Sequence, residues 1–270
     1  VCQHVGKISL PSEALSTIAN QWLTRMTDIV QEPHPAARAA IGRALGWFDL
    51  DKRKGVGLRD GLPDIDWVII PSTAFVYQYD EHPPLPEFHI ARYPITHAQF
   101  QAFIDAGGYQ DDRWWQGWQG LHDRLDTPAS PAWSEPNAPR ERVSWYEAVA
   151  FCRWLSDRRG FTVRLPTEQQ WGRAARGTQG LDYPWGNDFR LGFANCNETR
   201  EEDGIYFIGR TSAVGLYPQA ASPEKVLDMA GNVWEWCLNE YDTRQQNCQL
   251  SGNEARVLRG GSWNNNPDNV

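Results

Sequence analysis

Apolar positions along this chain repeat at helical or strand spacing only in short bursts, separated by long polar and aromatic stretches. Over residues 13–30, Ile18, Trp22, Met26 and Ile29 fall three or four apart and predict an amphipathic helix. Pro33 and Pro35 end it. The Ala-rich stretch from Ala36 to Trp47 predicts a second helix, with Ile41, Leu45 and Trp47 available for burial. Together they read as a short helical hairpin, residues 1–60, packed on a main domain. The connector Gly55 to Pro63 contains Gly55-Val-Gly57, a fragment of a phosphate-loop pattern without its third glycine or a preceding strand, and it carries no weight.

Three short strands are predicted next, over 66–71, 74–77 and 88–93, the last alternating as a half-buried strand. Thr96 with Gln99 three residues on predicts a capped helix with Phe100, Phe103 and Ile104 on its apolar face. Residues 109–142 form a long loop that Trp114, Trp115, Trp118 and Trp133 would pin to the core. Ser144 and Glu147 cap another helix, with Ala148, Phe151, Cys152 and Leu155 buried and Gly160 at its end. A strand is expected over 161–165, and Thr167 caps a helix running through Arg176. From Gly177 to Pro223 the chain is irregular, and the runs Tyr183-Pro-Trp185-Gly186-Asn187 and Gly231 to Trp236 suggest anchoring by aromatic rings or an ion.

Composition narrows the classes. With 270 residues, 41% apolar and 22% charged, the chain can bury a globular core as one large domain or one domain with an extension. Fourteen tryptophans read as fillers of a core short of regular structure. Twenty-six basic against 34 acidic residues give a net charge of −8, which argues against a nucleic-acid partner. No apolar run approaches the roughly 20 residues of a membrane helix, and no signal-peptide pattern opens the chain, so no membrane partner is expected. The five cysteines are odd in number and lack CxxC spacing, which predicts a reducing, cytoplasmic setting.

Five segments, in order, resemble one known family. They are His89 to Thr96; Val143-Ser-Trp-Tyr-Glu-Ala148; Arg164-Leu-Pro-Thr-Glu168 with Trp171; Tyr183 to Asn187; and Met229 to Trp236 followed by Arg259-Gly-Gly-Ser-Trp263. Their order and spacing resemble the formylglycine-generating-enzyme (sulfatase-modifying-factor) domain, a variant of the C-type lectin fold. The resemblance implies an α+β, C-type-lectin-like domain over residues 64–270, rich in irregular structure. It also implies further segments after Val270, because family members end in a strand that completes the sheet.

In the active enzymes of that family two copper-binding cysteines follow Arg-Gly-Gly-Ser-Trp. Here the matching positions are Asn265 and Val270. Soft thiolates select Cu(I), so no copper is expected. Iron is not expected either: His4, His34, His82, His89, His97 and His122 are scattered. The chain is therefore expected not to be an enzyme. The resemblance also implies structural Ca2+, held by Asp228, the carbonyls of Gly231 and Val233, and Glu235, with a second set at Asn195, the Cys196 carbonyl and an acid near Asp203. The same acids could instead merely cap turns.

The run Trp263-Asn264-Asn265-Asn266-Pro267-Asp268-Asn269 reads as an exposed polar loop. Variable proteins of diversity-generating retroelements, including bacterial ones on this domain, place their diversified segment after Arg-Gly-Gly-Ser-Trp. Asn codons begin with two adenines, the base such elements target. The resemblance thus implies ligand binding by Trp263, Asn264, Asn265, Asn266, Asp268 and Asn269, with a protein or small molecule as partner. The alternatives are a metal-dependent oxidase or oxygenase of the family, and an accessory or regulatory interaction module.

Overall fold

The computed structural model describes residues 12–116, 127–198, 206–241, 248–250 and 254–270; Trp118, His4, His122 and Asp203 lie outside them. In chain order the elements are α1 (Ser12–Thr27), α2 (Pro35–Trp47), β1 (Leu58–Arg59), β2 (Leu62–Pro63), β3 (Trp67–Ile70), β4 (Phe75–Tyr77), β5 (Asp80–His82), β6 (Phe88–Ala91), α3 (His97–Asp105), α4 (Trp145–Arg159), α5 (Glu168–Arg176), β7 (Glu235–Glu240) and β8 (Arg256–Arg259). The molecule is a mixed helix-and-strand fold with small sheets.

The stripe expected on the first helix is shorter than its spacing suggests. Met26 is fully buried, but α1 stops at Thr27, and the Asp28 carboxylate accepts from the amides of Val30 and Gln31, turning the chain away and leaving Ile29 exposed. On α2, Leu45 is buried while Trp47, its last residue, faces solvent. Met26, Ala39 and Leu45 share one cluster with Ala213, Leu216 and Tyr217 of the irregular segment. Buried Arg38 donates to the Leu216 carbonyl at 2.5 Å, with its guanidinium 5.1 Å from the Tyr217 ring centre. Helix α2 packs this close because of Gly46: the Asn137 Oδ1 fills the space where a Cβ would stand. Asn137 in turn donates to the Gly42 carbonyl and to Asp51 Oδ2, both at 2.9 Å.

Helices α3, α4 and α5 each begin with a complete capping box, from Thr96 and Gln99, Ser144 and Glu147, and Thr167 and Gln170. These satisfy amide groups that the first turn of a helix leaves without partners. Glu147 also accepts from the Tyr109 hydroxyl, which ties the start of the 109–142 loop to α4. Between α3 and α4 lies an aromatic core. Phe100 stacks on Phe151 with centroids 5.4 Å apart, and Trp115 donates to the Gly108 carbonyl at 2.9 Å. A second core joins α5 to the sheets through Ile70, Trp171, Ala174, Cys237 and Val257. In the irregular stretch, Tyr183 and Trp185 stack at 5.2 Å, and Trp185 meets Phe193 edge-on at 5.6 Å.

The named strands pair antiparallel: β1 with β2, β3 with β6 (Trp67 opposite Ala91, Ile70 opposite Phe88), β4 with β5, and β7 with β8. Residues 161–165, expected as a strand, are irregular. Their backbone turns to α4 instead: the Val163 amide donates to the Ser156 hydroxyl at 2.7 Å, and that hydroxyl donates to the Val163 carbonyl at 3.0 Å. Among the described residues β3–β6 and β7–β8 stay separate. A groove of about 620 Å³ opens between them, lined by Phe88 to Ala91, the 161–166 segment and Val233 to Trp236. Among the described residues no helix is long and apolar enough to cross a membrane.

The Gly46 contact gives a direct test. Gly46→Val forces Asn137 out of its three-way hold, and overpacking of this kind costs about 1–3 kcal/mol. The midpoint of urea unfolding should fall accordingly, and an unchanged midpoint would show that Asn137 moves aside freely.

Candidate functional site

The segment after β8 is held by backbone hydrogen bonds. The Gly231 amide donates to the Gly260 carbonyl at 2.7 Å, and the Trp263 amide to the Asn232 carbonyl at 3.2 Å. The Asn197 amide reaches the Asn265 carbonyl at 2.8 Å, and the Asn269 amide the Asn266 carbonyl at 2.9 Å. Trp263 is half-buried, edge-on to Trp133 at 5.2 Å and 6.4 Å from Phe207. Arg210 lies 5.3 Å from the Trp133 ring centre and pairs with Glu135 at 2.5 Å. Asn264, Asn266, Asp268 and Asn269 are exposed. Asn265 differs from them: it is half-buried, and its Oδ1 accepts from the Ser262 hydroxyl at 2.6 Å. Val270 packs with Ala194, Cys196 and Ala230. The expected binding residues therefore share one face, with Trp263 at its base, Asn265 turned inward, and Trp133, Phe207 and Arg210 as neighbours that spacing alone did not reveal.

Asp228 and Glu235 flank the stretch whose Gly231 and Asn232 bond to this segment. Glu235 Oε2 accepts from the Trp171 indole at 3.2 Å, whereas its Oε1 is buried and unpartnered among the described residues. Burial, with the neighbouring Asp228 charge, pushes the Glu235 carboxyl up to about 8. Asp228 is pushed up to about 6 by burial, against the opposing pull of the Gly215 amide and Arg53. The Val233 and Met229 carbonyls face Gly260, 3.8 and 3.5 Å from where its Cβ would stand, with the Trp171 ring 3.3 Å from the same point. The Gly231 carbonyl already accepts from the Val233 amide at 2.9 Å.

The residues expected for a second ion are placed differently. The Asn195 side-chain amide donates to the Arg210 carbonyl at 2.9 Å and to Asn232 Oδ1 at 3.2 Å, and the Asn195 carbonyl accepts from the Asn232 amide at 2.8 Å. Asn195 Oδ1 is buried without a partner among the described residues. The Cys196 carbonyl accepts from the Glu198 amide at 3.1 Å, and its thiol is pushed up by burial beside Glu198. Trp234, Glu235 and Trp236 line the groove rather than the C-terminal face; Trp236 donates to the Val143 carbonyl at 2.9 Å, and Trp234 is 43% exposed. Among the described residues no three His, Cys, Asp or Glu side chains converge as a metal cluster.

The arrangement places this chain in a class of mixed α+β proteins in which short capped helices and small sheets carry long ordered loops. Residues 66–270 match the family model of the sulfatase-modifying factor enzyme 1-like domain, and the chain belongs to that family. It is 32% identical over 212 residues to the hercynine oxygenase of Mycobacterium tuberculosis, covering 66% of this chain and 46% of that protein. It is 29% identical over 275 residues to the formylglycine-generating enzyme of Thermomonospora curvata, covering 80% and 86%. A mouse relative named inactive C-alpha-formylglycine-generating enzyme 2 is 32% identical over 216 residues, covering 65% and 63%. The crystal structure of CarF superposes with a TM-score of 0.53 at 21% identity, covering 75% of this chain and 88% of that one, which supports the fold. The chain thus spans under half the length of the hercynine oxygenase it matches.

These relatives correct one expectation. The missing cysteines at Asn265 and Val270 pointed to a protein that is not an enzyme, yet several relatives matched over most of this chain are named as enzymes, beside one named inactive. The physical reason is that losing one ligand pair removes one chemistry and not the scaffold for others. Two half-buried acids with raised proton affinity still stand in this fold, and Glu235 borders a large groove.

The burial of His97 also escaped the sequence reading, since a lone His at a helix start carries no spacing signal. His97 opens α3, and its Nε2 has no partner among the described residues. Burial and the nearby Arg140 charge hold it down to about 4. Its folded-state value lies below the ordinary 6.5. The stability it contributes is therefore complete above that ordinary value and is lost as pH falls toward 4. His97→Gln should flatten the pH dependence of the unfolding free energy between those limits, and an unaltered slope would assign the loss to other groups.

Proposed function

We propose that this domain recognises a protein or small-molecule ligand through the face formed by Trp263, Asn264, Asn265, Asn266, Asp268 and Asn269. In this reading it is a variable protein of a diversity-generating retroelement, with a C-type-lectin-like scaffold over residues 64–270 and a helical extension over 1–60. One observation carries the reading. The segment is fixed by main-chain hydrogen bonds to Asn232 and Asn197, while Asn264, Asn266, Asp268 and Asn269 point outward. Main-chain bonds do not depend on side-chain identity, so these four positions can change while the backbone stays in place.

Variants randomised only at Asn264, Asn266, Asp268 and Asn269 should each keep their unfolding free energy within about 0.5 kcal/mol of the parent. On one peptide and glycan array their binding profiles should differ. Identical profiles across the variants would sink the reading. Asn265→Leu, which removes the acceptor for Ser262, should instead lower stability.

We also propose that a structural calcium ion is held by Asp228 and Glu235 with the Gly231 and Val233 carbonyls. The unpartnered Glu235 Oε1, the Val233 carbonyl that faces Gly260 and the Asp228 carboxylate are oxygen donors of the kind that suits a hard cation. At Asn195 and Cys196 only the free Asn195 Oδ1 supports a further ion. Chelator-treated protein should melt higher when calcium is restored, and Glu235→Gln should remove most of that increase. Equal melting curves in calcium and chelator would end the proposal.

The relatives' names favour a second reading, an oxidase or oxygenase using the groove beside Glu235. Elemental analysis separates the two. Calcium near one per chain supports the first reading, whereas stoichiometric copper or iron with oxygen uptake would put the second ahead.

A further inference from the structure

A relay of side chains joins the N-terminal helices to Asp228. It begins on α2, where Asn137 holds the Gly42 carbonyl and fills the space beside Gly46. The same Asn137 amide donates to Asp51 Oδ2 at 2.9 Å. Asp51 takes a forked pair from Arg53, with Nε at 2.8 Å from Oδ1 and Nη2 at 2.7 Å from Oδ2. This fixes the guanidinium and points its remaining nitrogen elsewhere.

That nitrogen, Nη1, lies 2.9 Å from where a Cβ of Gly215 would stand, and the Tyr93 ring lies 2.7 Å from the same point. Gly215 has a φ of +70°, so a side chain there is excluded by both backbone and space. Its amide donates to Asp228 Oδ2 at 2.6 Å. The guanidinium and the carboxylate thus both border Gly215, and Tyr93 covers the guanidinium, with the ring centre 5.6 Å from its carbon.

We propose that Arg53 is an internal counter-ion of Asp228 that competes with a bound divalent cation, so that the N-terminal helices and the ion hold this carboxylate in alternation. The proposal rests on the calcium site proposed above. A fixed guanidinium and a divalent ion facing one carboxylate across a partly buried space repel each other. Each must therefore weaken the hold of the other, and the coupling is reciprocal. Displacing the helical pair raises affinity for the ion, and binding the ion loosens the segment that carries Arg53.

Calorimetric titration of calcium into the chelator-treated chain tests this, with Arg53→Gln and Arg53→Lys alongside. R53Q should bind calcium about tenfold more tightly than the parent, and R53K should stay near it. Hydrogen exchange of the unaltered chain supplies a second readout, independent of whether R53Q folds. Calcium should speed exchange at amides of residues 38–53, and R53Q should show no such response. Equal or weaker calcium binding by R53Q, or slower exchange in the parent on adding calcium, overturns the proposal. Absence of calcium binding by the unaltered chain overturns it together with the site itself, and that outcome is told apart by the parent titration alone.

Discussion

Asn195 and Asn232 meet in the interior, and the loops that make up the later half of this molecule converge on them. The Asn232 side chain accepts from the Ser212 amide at 3.0 Å and from the Asn195 side chain, while the Asn232 backbone amide donates to the Asn195 carbonyl. Its carbonyl then receives the Trp263 amide. Buried backbone groups must find partners, and long irregular segments cannot supply them to one another as a helix or sheet does. A pair of side-chain amides substitutes here for a ladder. Asn232 takes a positive φ of 67°, which asparagine tolerates better than most residues.

The same hub joins what would otherwise be two separate regions. Residues Gly231 to Glu235 meet the C-terminal segment through Gly260 and Trp263 and end in Glu235, one of the two acids. A shift in either is felt by the same five-residue stretch. The N-terminal helices enter this arrangement through Asn137 and Arg53, so the extension packs as part of the molecule's support.

Much of the scaffold was legible from local chemistry. Thr96, Ser144 and Thr167 start helices because a hydroxyl followed three residues later by an amide or acid meets a local need of any helix. The 161–165 segment was misread because alternation alone cannot say whether a partner strand lies alongside; here Ser156 took the backbone groups. The Arg-Gly-Gly-Ser-Trp run marked the segment proposed for binding, but Trp133, Phe207 and Arg210 reach Trp263 from distant parts of the chain. Contacts at that separation leave no periodic trace. The expectation of no catalysis rested on absent copper and iron ligands, and it is overturned by relatives named as enzymes, which share the scaffold whatever ligands a given member keeps.

The groove between β6 and β7 has a consequence for how this protein behaves in a crowded solution. Its rim carries partly exposed Trp234 and Phe161, and the outer edge of β6 pairs with no named strand among the described residues. Open strand edges beside apolar side chains are templates for pairing with another chain. Colloidal behaviour, and not only folding stability, should therefore depend on what occupies this cleft, with the net charge of −8 as the main force keeping copies apart.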